Sequence, residues 1–376
     1  MTAPGKQRTY SGPSFVLNQA SRDAPLPITL WNSKEQADVA RYFRLRRDYQ
    51  PTPLRSLPGY AEQLGVGELV VKDETARLGL PAFKILGVAY AVHSLIEAKI
   101  IQSDSVLACA TAGNHGRALA HVARESGLRA KIYVHKDVSH SRVQAIAAEG
   151  AEVVIVNGTY DDSVREVARD AEAQGWVLIS DTAWPGYETV PRLIMAGYTM
   201  LMIESAEQWK VVPDVVFVQA GVGGLACAVV SWLHSEFGAE RPSIVCCEPQ
   251  EAACILESVG AGQLREATGS LQTIMGGLNC ARVSSLAWPV LRAGVDACVC
   301  VSDAAALDAV RKLAHPFPSD PRILAGESGA CGMAAISWVF LHAEAQPLVD
   351  ALRLNRQSRV FAIITEGLVQ PNGEQA

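Results

Sequence analysis

Apolar residues fall in two kinds of run along this chain. Short, nearly unbroken runs include SVLACA (105–110), AKIYVH (130–135), AEVVIV (151–156), WVLISD (176–181), VVFVQAG (215–221), SIVCCEP (243–249) and SRVFAIITEG (358–367). Such runs predict strands buried on both faces. Longer mixed segments between them predict helices over 89–98, 116–126, 141–149, 160–174, 226–237, 302–314 and 329–341. GELVVKDET adds an earlier strand-like piece. Strands alternating with longer helices imply an α/β protein with open, twisted, mostly parallel sheets flanked by helices. The proline-rich first 60 residues read as an irregular arm that wraps a domain or meets a partner. The expected division is a larger domain from 1–88 and 205–376 and a smaller one from 89–204.

Composition narrows the function classes. The chain has 376 residues, 49% of them apolar and 19% charged, which supports a sizeable core and is too apolar for disorder. With a net charge of −6 and no block of Lys or Arg, nucleic-acid binding has no electrostatic support. The stretch VVFVQAGVGGLACAVVSWL (215–233) approaches the length of a membrane span, but Gln219 and the glycines after it divide it into strand, turn and helix. The amino terminus lacks the pattern of a signal peptide. Nine cysteines without a close C-x-x-C pair, and eight histidines without H-E-x-x-H spacing, fit a cytoplasmic protein with reduced thiols and no catalytic metal.

Four short stretches carry candidate chemistry. In LPAFKILGVAYAV (80–92), Lys84 stands at the head of an apolar run. It is either a lysine whose stem lies on an apolar face or an amine kept for covalent chemistry. GVGGL, Gly221 to Leu225, lies between a strand and a helix, where glycine backbone and helix dipole suit a phosphate. It is neither G-x-G-x-x-G nor a P-loop, so a small phosphorylated cofactor fits better than a nucleotide. TAGNHG, Thr111 to Gly116, follows a strand. There Asn114 suits a ring hydroxyl or a carboxylate, and His115 reads equally as a loop contact. Thr365 ends the last strand, where a hydroxyl can meet a ring nitrogen.

In this order the four pieces resemble the pyridoxal-phosphate enzymes of the tryptophan-synthase-β fold type (fold type II), which include serine and threonine dehydratases. Within that group the chain is most similar to the 2,3-diaminopropionate ammonia-lyases. The likeness runs through LGLPAFKILGVAYAV (78–92), AGNHGRALA (112–120), DTAWPGYETVPRLIMAGY (181–198), GVGGLA (221–226), MGGLNC (275–280), GESGA (326–330) and ITEG (364–367).

The resemblance implies pyridoxal 5'-phosphate held covalently by Lys84, with Phe83 beside its ring and Asn114 on the ring hydroxyl. Gly221, Val222, Gly223, Gly224 and Leu225 would hold the phosphate, Thr365 would meet the ring nitrogen, and Glu327 would border the ring. Thr111, Ala112, Gly113, His115 and Gly116 would surround the substrate carboxylate. Asp181 would be the acid/base residue, its plainer reading being a cap before TAWPGY. Cys254 and Cys280 match a cysteine pair of the family and otherwise are core thiols.

One position departs from the family pattern. Ala112 stands where ammonia-lyases usually carry an aspartate linked to the D-isomer, and dehydratases share the alanine. The implied activity is β-elimination on an L-α-amino acid, with L-2,3-diaminopropionate giving pyruvate and ammonia. The alternatives are dehydration of a β-hydroxy amino acid such as serine, threonine, phenylserine or 3-hydroxyaspartate, and amino-acid binding without catalysis. The resemblance also implies a homodimer.

Overall fold

The computed structural model of the protein describes residues 10–12, 14–20, 25–28, 30–111 and 113–368. The chain divides into two compact units. The larger takes the described residues up to Asn32 together with Pro51–Thr75 and Leu201–Leu368, and the smaller takes Ser33–Gln50 and Ala76–Met200.

In chain order the strands are β1 (Phe15–Leu17), β2 (Leu54–Ser56), β3 (Glu68–Asp73), β4 (Val106–Ala110), β5 (Arg129–His135), β6 (Glu152–Val156), β7 (Val177–Leu178), β8 (Val215–Gln219), β9 (Ser243–Pro249), β10 (Ala297–Val301) and β11 (Arg359–Ile364). The larger unit holds a seven-stranded sheet in the order β1-β10-β9-β8-β11-β3-β2. Its inner strands are parallel, and only the edge strands β1 and β2 pair antiparallel. Every residue of β8, β9 and β10 is buried, as expected for strands covered on both faces. The smaller unit holds a parallel four-stranded sheet in the order β6-β5-β4-β7. This is the two-sheet α/β architecture expected from the apolar pattern.

The structure differs from that pattern at the amino end, at β7 and at the boundaries. Ser33–Leu45 is a helix rather than part of an irregular arm. It buries only Val39, Ala40 and Phe43, a face too narrow to stand out among its polar residues. The run WVLISD forms just two strand residues, because Ile179 to Asp181 leave the sheet as a loop. The smaller unit takes in Ser33–Gln50 and, from Ala76 on, Lys84, both of which the sequence pattern assigns to the larger domain. The reason lies in the helix Lys84–Glu97, which starts at that lysine and packs against the helix Asn114–Glu125.

Topology decides which loops become neighbours. β4 pairs with β7, so TAGNHG and the DTAW loop leave adjacent strands at their carboxyl ends. β8 pairs with β11, so GVGGL and Thr365 do the same in the larger unit. Carboxyl ends of parallel strands are where such sheets place ligands.

Candidate active site

In the smaller unit, Lys84 opens its helix and its Nζ donates to Asp181 Oδ2 at 2.6 Å. Both side chains are mostly but not fully buried, at 21% and 24% exposure, so a ligand can still reach them. Aromatic rings flank the amine, with Nζ 5.5 Å from the centre of Phe83 and 5.8 Å from that of Tyr198. Tyr198 comes this near because the next residue back, Gly197, lets two helices touch. A Cβ there would lie 2.4 Å from the Leu86 carbonyl oxygen.

Tyr187 reaches back across the DTAW loop to the segment just before Asp181. The Tyr187 hydroxyl accepts from Ser180 N and donates to Leu178 O, both at 2.8 Å, while its ring stacks on Trp184 at 4.2 Å. The segment that leads into Asp181 is therefore braced by a side-chain clasp.

The loop after β4 splits its residues between solvent and core. Gly113 is exposed and its N–H donates to Thr111 Oγ1 at 3.2 Å. Asn114 is half-buried in the first turn of its helix. His115 and Gly116 are buried. His115 Nε2 contacts the Ile179 carbonyl at 2.7 Å, and Nδ1 lies 3.9 Å from Asp181 Oδ2. Ala112 lies outside the described residues.

Electrostatics make Asp181 an ionised carboxylate. Burial works to raise its pKa, but the Lys84 charge, with help from His115 and hydrogen bonds, outweighs burial and holds it well below the usual range. Burial lowers the pKa of His115, despite the opposing effect of Asp181.

In the larger unit, GVGGL turns from β8 into the helix Gly224–Phe237. Gly223 caps that helix at φ +95°, a left-handed conformation that favours glycine. The Val222 carbonyl accepts from Ser284 N at 2.9 Å, which ties the turn down. Leu225 and Gly224 are buried in the first turn of the helix.

Thr365 is buried directly after β11, and its Oγ1 accepts from Gln219 Nε2 at 3.0 Å. The same amide reaches the carbonyls of Gly329 at 3.0 Å and Ile363 at 2.9 Å. Glu327 is half-buried in a turn braced by Glu366, whose Oε1 accepts from Ser328 N at 3.2 Å.

Cys254 and Cys280 are thiols, not a disulfide. Cys254 Sγ sits on the Gly221 carbonyl at 3.8 Å, and a Cβ on Gly221 would lie 2.9 Å from Cys280 Sγ. Both sulfurs thus abut the first glycine of the turn.

Sequence reasoning missed Gln219, Glu366, Tyr187 and Tyr198. Gln219 did leave a signal, as the one polar side chain closing an apolar strand. The two tyrosines sit inside DTAWPGYETVPRLIMAGY but have no spacing that marks them.

Each unit by itself offers groups of the kind that suit part of a phosphorylated aldehyde with an aromatic ring. An accessible amine sits beside a carboxylate, a left-handed glycine turn opens a helix of 14 residues, and a hydroxyl is oriented by a buried amide. The chain belongs to the pyridoxal-phosphate dependent enzymes, whose family model matches residues 45–366, and its cofactor is pyridoxal phosphate. Its relatives are more particular. It is 38% identical over 354 residues to diaminopropionate ammonia-lyase of Escherichia coli (strain K12), covering 89% of each chain. It is 35% identical over 371 residues to the Salmonella typhimurium enzyme of the same name, covering 92% of each. A solved E. coli diaminopropionate ammonia lyase, in complex with an aminoacrylate-PLP azomethine reaction intermediate, superposes with a TM-score of 0.87, 36% identity and 96% of both chains covered.

Proposed function

We propose that this protein is a lyase that removes the β-substituent of an L-α-amino acid, with L-2,3-diaminopropionate giving pyruvate and ammonia. The observation that carries this reading is the Lys84–Asp181 pair, an amine and an ionised carboxylate at 2.6 Å.

Lys84 would hold the cofactor, Gly221 to Leu225 would hold its phosphate, Asn114 and Thr365 would meet its ring, and Glu327 would border it. Bound there, pyridoxal phosphate supplies an electron sink that acidifies the Cα–H of an amino acid. Thr111 and the N–H groups of Gly113 and Asn114 take the substrate carboxylate, at the amino end of the helix Asn114–Glu125.

Asp181 accepts the Cα proton on its carboxylate. It then gives that proton to the departing β-nitrogen, which leaves as neutral ammonia. The released 2-aminoacrylate hydrolyses to pyruvate and ammonia.

Ala112 supports preference for the L-isomer, since no carboxylate precedes GNHG to take a proton from the opposite face. It also supports the second reading, a dehydratase of β-hydroxy amino acids. We take the working form to be a cytoplasmic homodimer, which sedimentation of the purified protein would check.

The deciding experiment is a panel of L- and D-2,3-diaminopropionate, serine, threonine, phenylserine and 3-hydroxyaspartate, scored for keto acid and ammonia. The expected result is highest kcat/KM on L-2,3-diaminopropionate. Turnover confined to β-hydroxy substrates would replace the first reading with the second. Equal turnover of both diaminopropionate isomers would remove the role given to Ala112.

A further inference from the structure

His115 is buried at 5% exposure, yet its Nδ1 has no hydrogen-bond partner. An orphaned polar atom in a core is costly, about 1–3 kcal/mol, unless it has a use. The other ring nitrogen tells what Nδ1 is. Nε2 lies 2.7 Å from the Ile179 carbonyl, and a carbonyl only accepts, so Nε2 carries the hydrogen. Burial keeps the ring neutral. Nδ1 is therefore a bare lone pair, and Asp181 Oδ2 lies 3.9 Å from it.

A lone pair gives nothing to an ionised carboxylate. It has a partner only when Oδ2 carries a proton, which is the state of Asp181 between taking the Cα proton and giving it up. At that moment Oδ2–H can donate to Nδ1 after closing by about 1 Å, an ordinary tightening for groups of this kind. We propose that His115 is a positioning residue that holds the acid form of Asp181, keeping its proton on Oδ2 until the leaving β-nitrogen takes it. No proton passes to His115. The lock on its tautomer is the Ile179 carbonyl, two residues before Asp181 on the same loop, so base and acceptor are positioned by one segment.

The other groups around the pair do not compete for this part. Cys109 on β4, Tyr187 on the DTAW loop and Tyr198 on the helix Thr189–Gln208 are all pushed upward by burial and stay neutral. Lys84 stands on the same carboxylate oxygen as a donor, the opposite role.

This rests on the lyase reading for its kinetic consequences but not for its geometry, so the test has both arms. In His115→Gln the side chain keeps a donor that can reach Ile179 O and loses the acceptor facing Asp181. The holoenzyme variant is expected to keep its cofactor absorption and KM, to lose kcat by about 10-fold or more, and to move the acid limb of its kcat–pH profile to lower pH. The sign follows because the lone pair of a neutral Nδ1 favours protonated Asp181, while the depression that a charged His115 would add is absent as long as burial keeps the ring neutral.

His115→Asn returns an acceptor near Nδ1 and is expected to recover part of the lost rate. It also keeps the proposal testable where the Gln variant does not fold. In the nitrogen NMR spectrum of labelled holoenzyme, the signal missing from the His115 variants should belong to a neutral ring protonated at Nε2. A kcat within about twofold of wild type with an unmoved acid limb would overturn the proposal, as would a His115 ring protonated at Nδ1 near neutral pH. If the wild-type enzyme eliminates from no amino acid, the lyase reading fails and the NMR result alone decides the tautomer-locked acceptor.

Discussion

Gln219 Nε2 and Thr365 Oγ1 lie 3.0 Å apart, although 146 positions separate them in the chain. The amide donates and the hydroxyl oxygen accepts, which leaves the hydroxyl hydrogen of Thr365 free to be directed elsewhere. Because Gln219 also serves the Gly329 and Ile363 carbonyls, its removal leaves buried acceptors unpaired. Gln219→Leu is expected to lose about 1–3 kcal/mol of stability and to weaken cofactor binding, measured as a lower Tm and a raised Kd for pyridoxal phosphate. Thr365→Val, which keeps the shape and removes the hydroxyl, should weaken cofactor binding with a smaller change in Tm.

Lys84→Ala should abolish covalent attachment of the cofactor. After borohydride reduction and proteolysis, wild-type protein should carry the cofactor's mass on the peptide containing Lys84, and the variant should carry none. Elimination should fall by about 10³-fold or more, toward the upper range for losing a group that handles protons. Recovery of the cofactor on another lysine would contradict the assignment.

Gly223→Ala tests the glycine turn. The substitution forces a Cβ into a left-handed conformation at φ +95° and to within 2.7 Å of Leu291 Cδ1. The conformation alone costs about 1–2 kcal/mol. The expected outcome is a Kd for pyridoxal phosphate raised about tenfold or more, with KM for amino acid little changed in protein saturated with cofactor.

Glu248 provides a pH signature far from Lys84 in the chain. It is completely buried at the end of β9, and its two oxygens accept from Ile255 N at 2.8 Å and Leu256 N at 2.7 Å. Burial, only partly offset by these bonds, pushes its pKa up to about 8. An unfolded glutamate titrates near 4.3. The folded state thus binds the extra proton between these values, and stability falls as pH rises through that window, by at most about 1.4 kcal/mol per pH unit. Glu248→Gln removes this dependence. The Tm of the variant relative to wild type should climb from pH 5 to pH 8 and level off above, as followed by calorimetry. A difference that stays flat across the window would rule out a proton on Glu248.

Much of the fold was legible because buried parallel strands are short apolar runs, and β5, β6, β8, β9 and β11 emerge within a residue or two at most starts. The helix Ser33–Leu45 was not, since its buried face is three residues among ten polar or exposed ones. β7 was overread for the opposite reason. Ile179 is buried and apolar like a strand residue, but it leaves the sheet, its N–H on the Ala108 carbonyl, to start the loop that carries Asp181.

Sequence alone decides what each short motif can do. An amine at the head of an apolar run, glycines between strand and helix, and a threonine at a strand's end each have a local chemistry that their own neighbours fix. Partnership is a different matter. Lys84 and Asp181 stand 97 positions apart, and His115 is 64 positions from the carbonyl that locks its tautomer. No periodicity links such positions. They meet because β4 pairs with β7, and that pairing follows from packing the whole sheet, which only the tertiary structure settles.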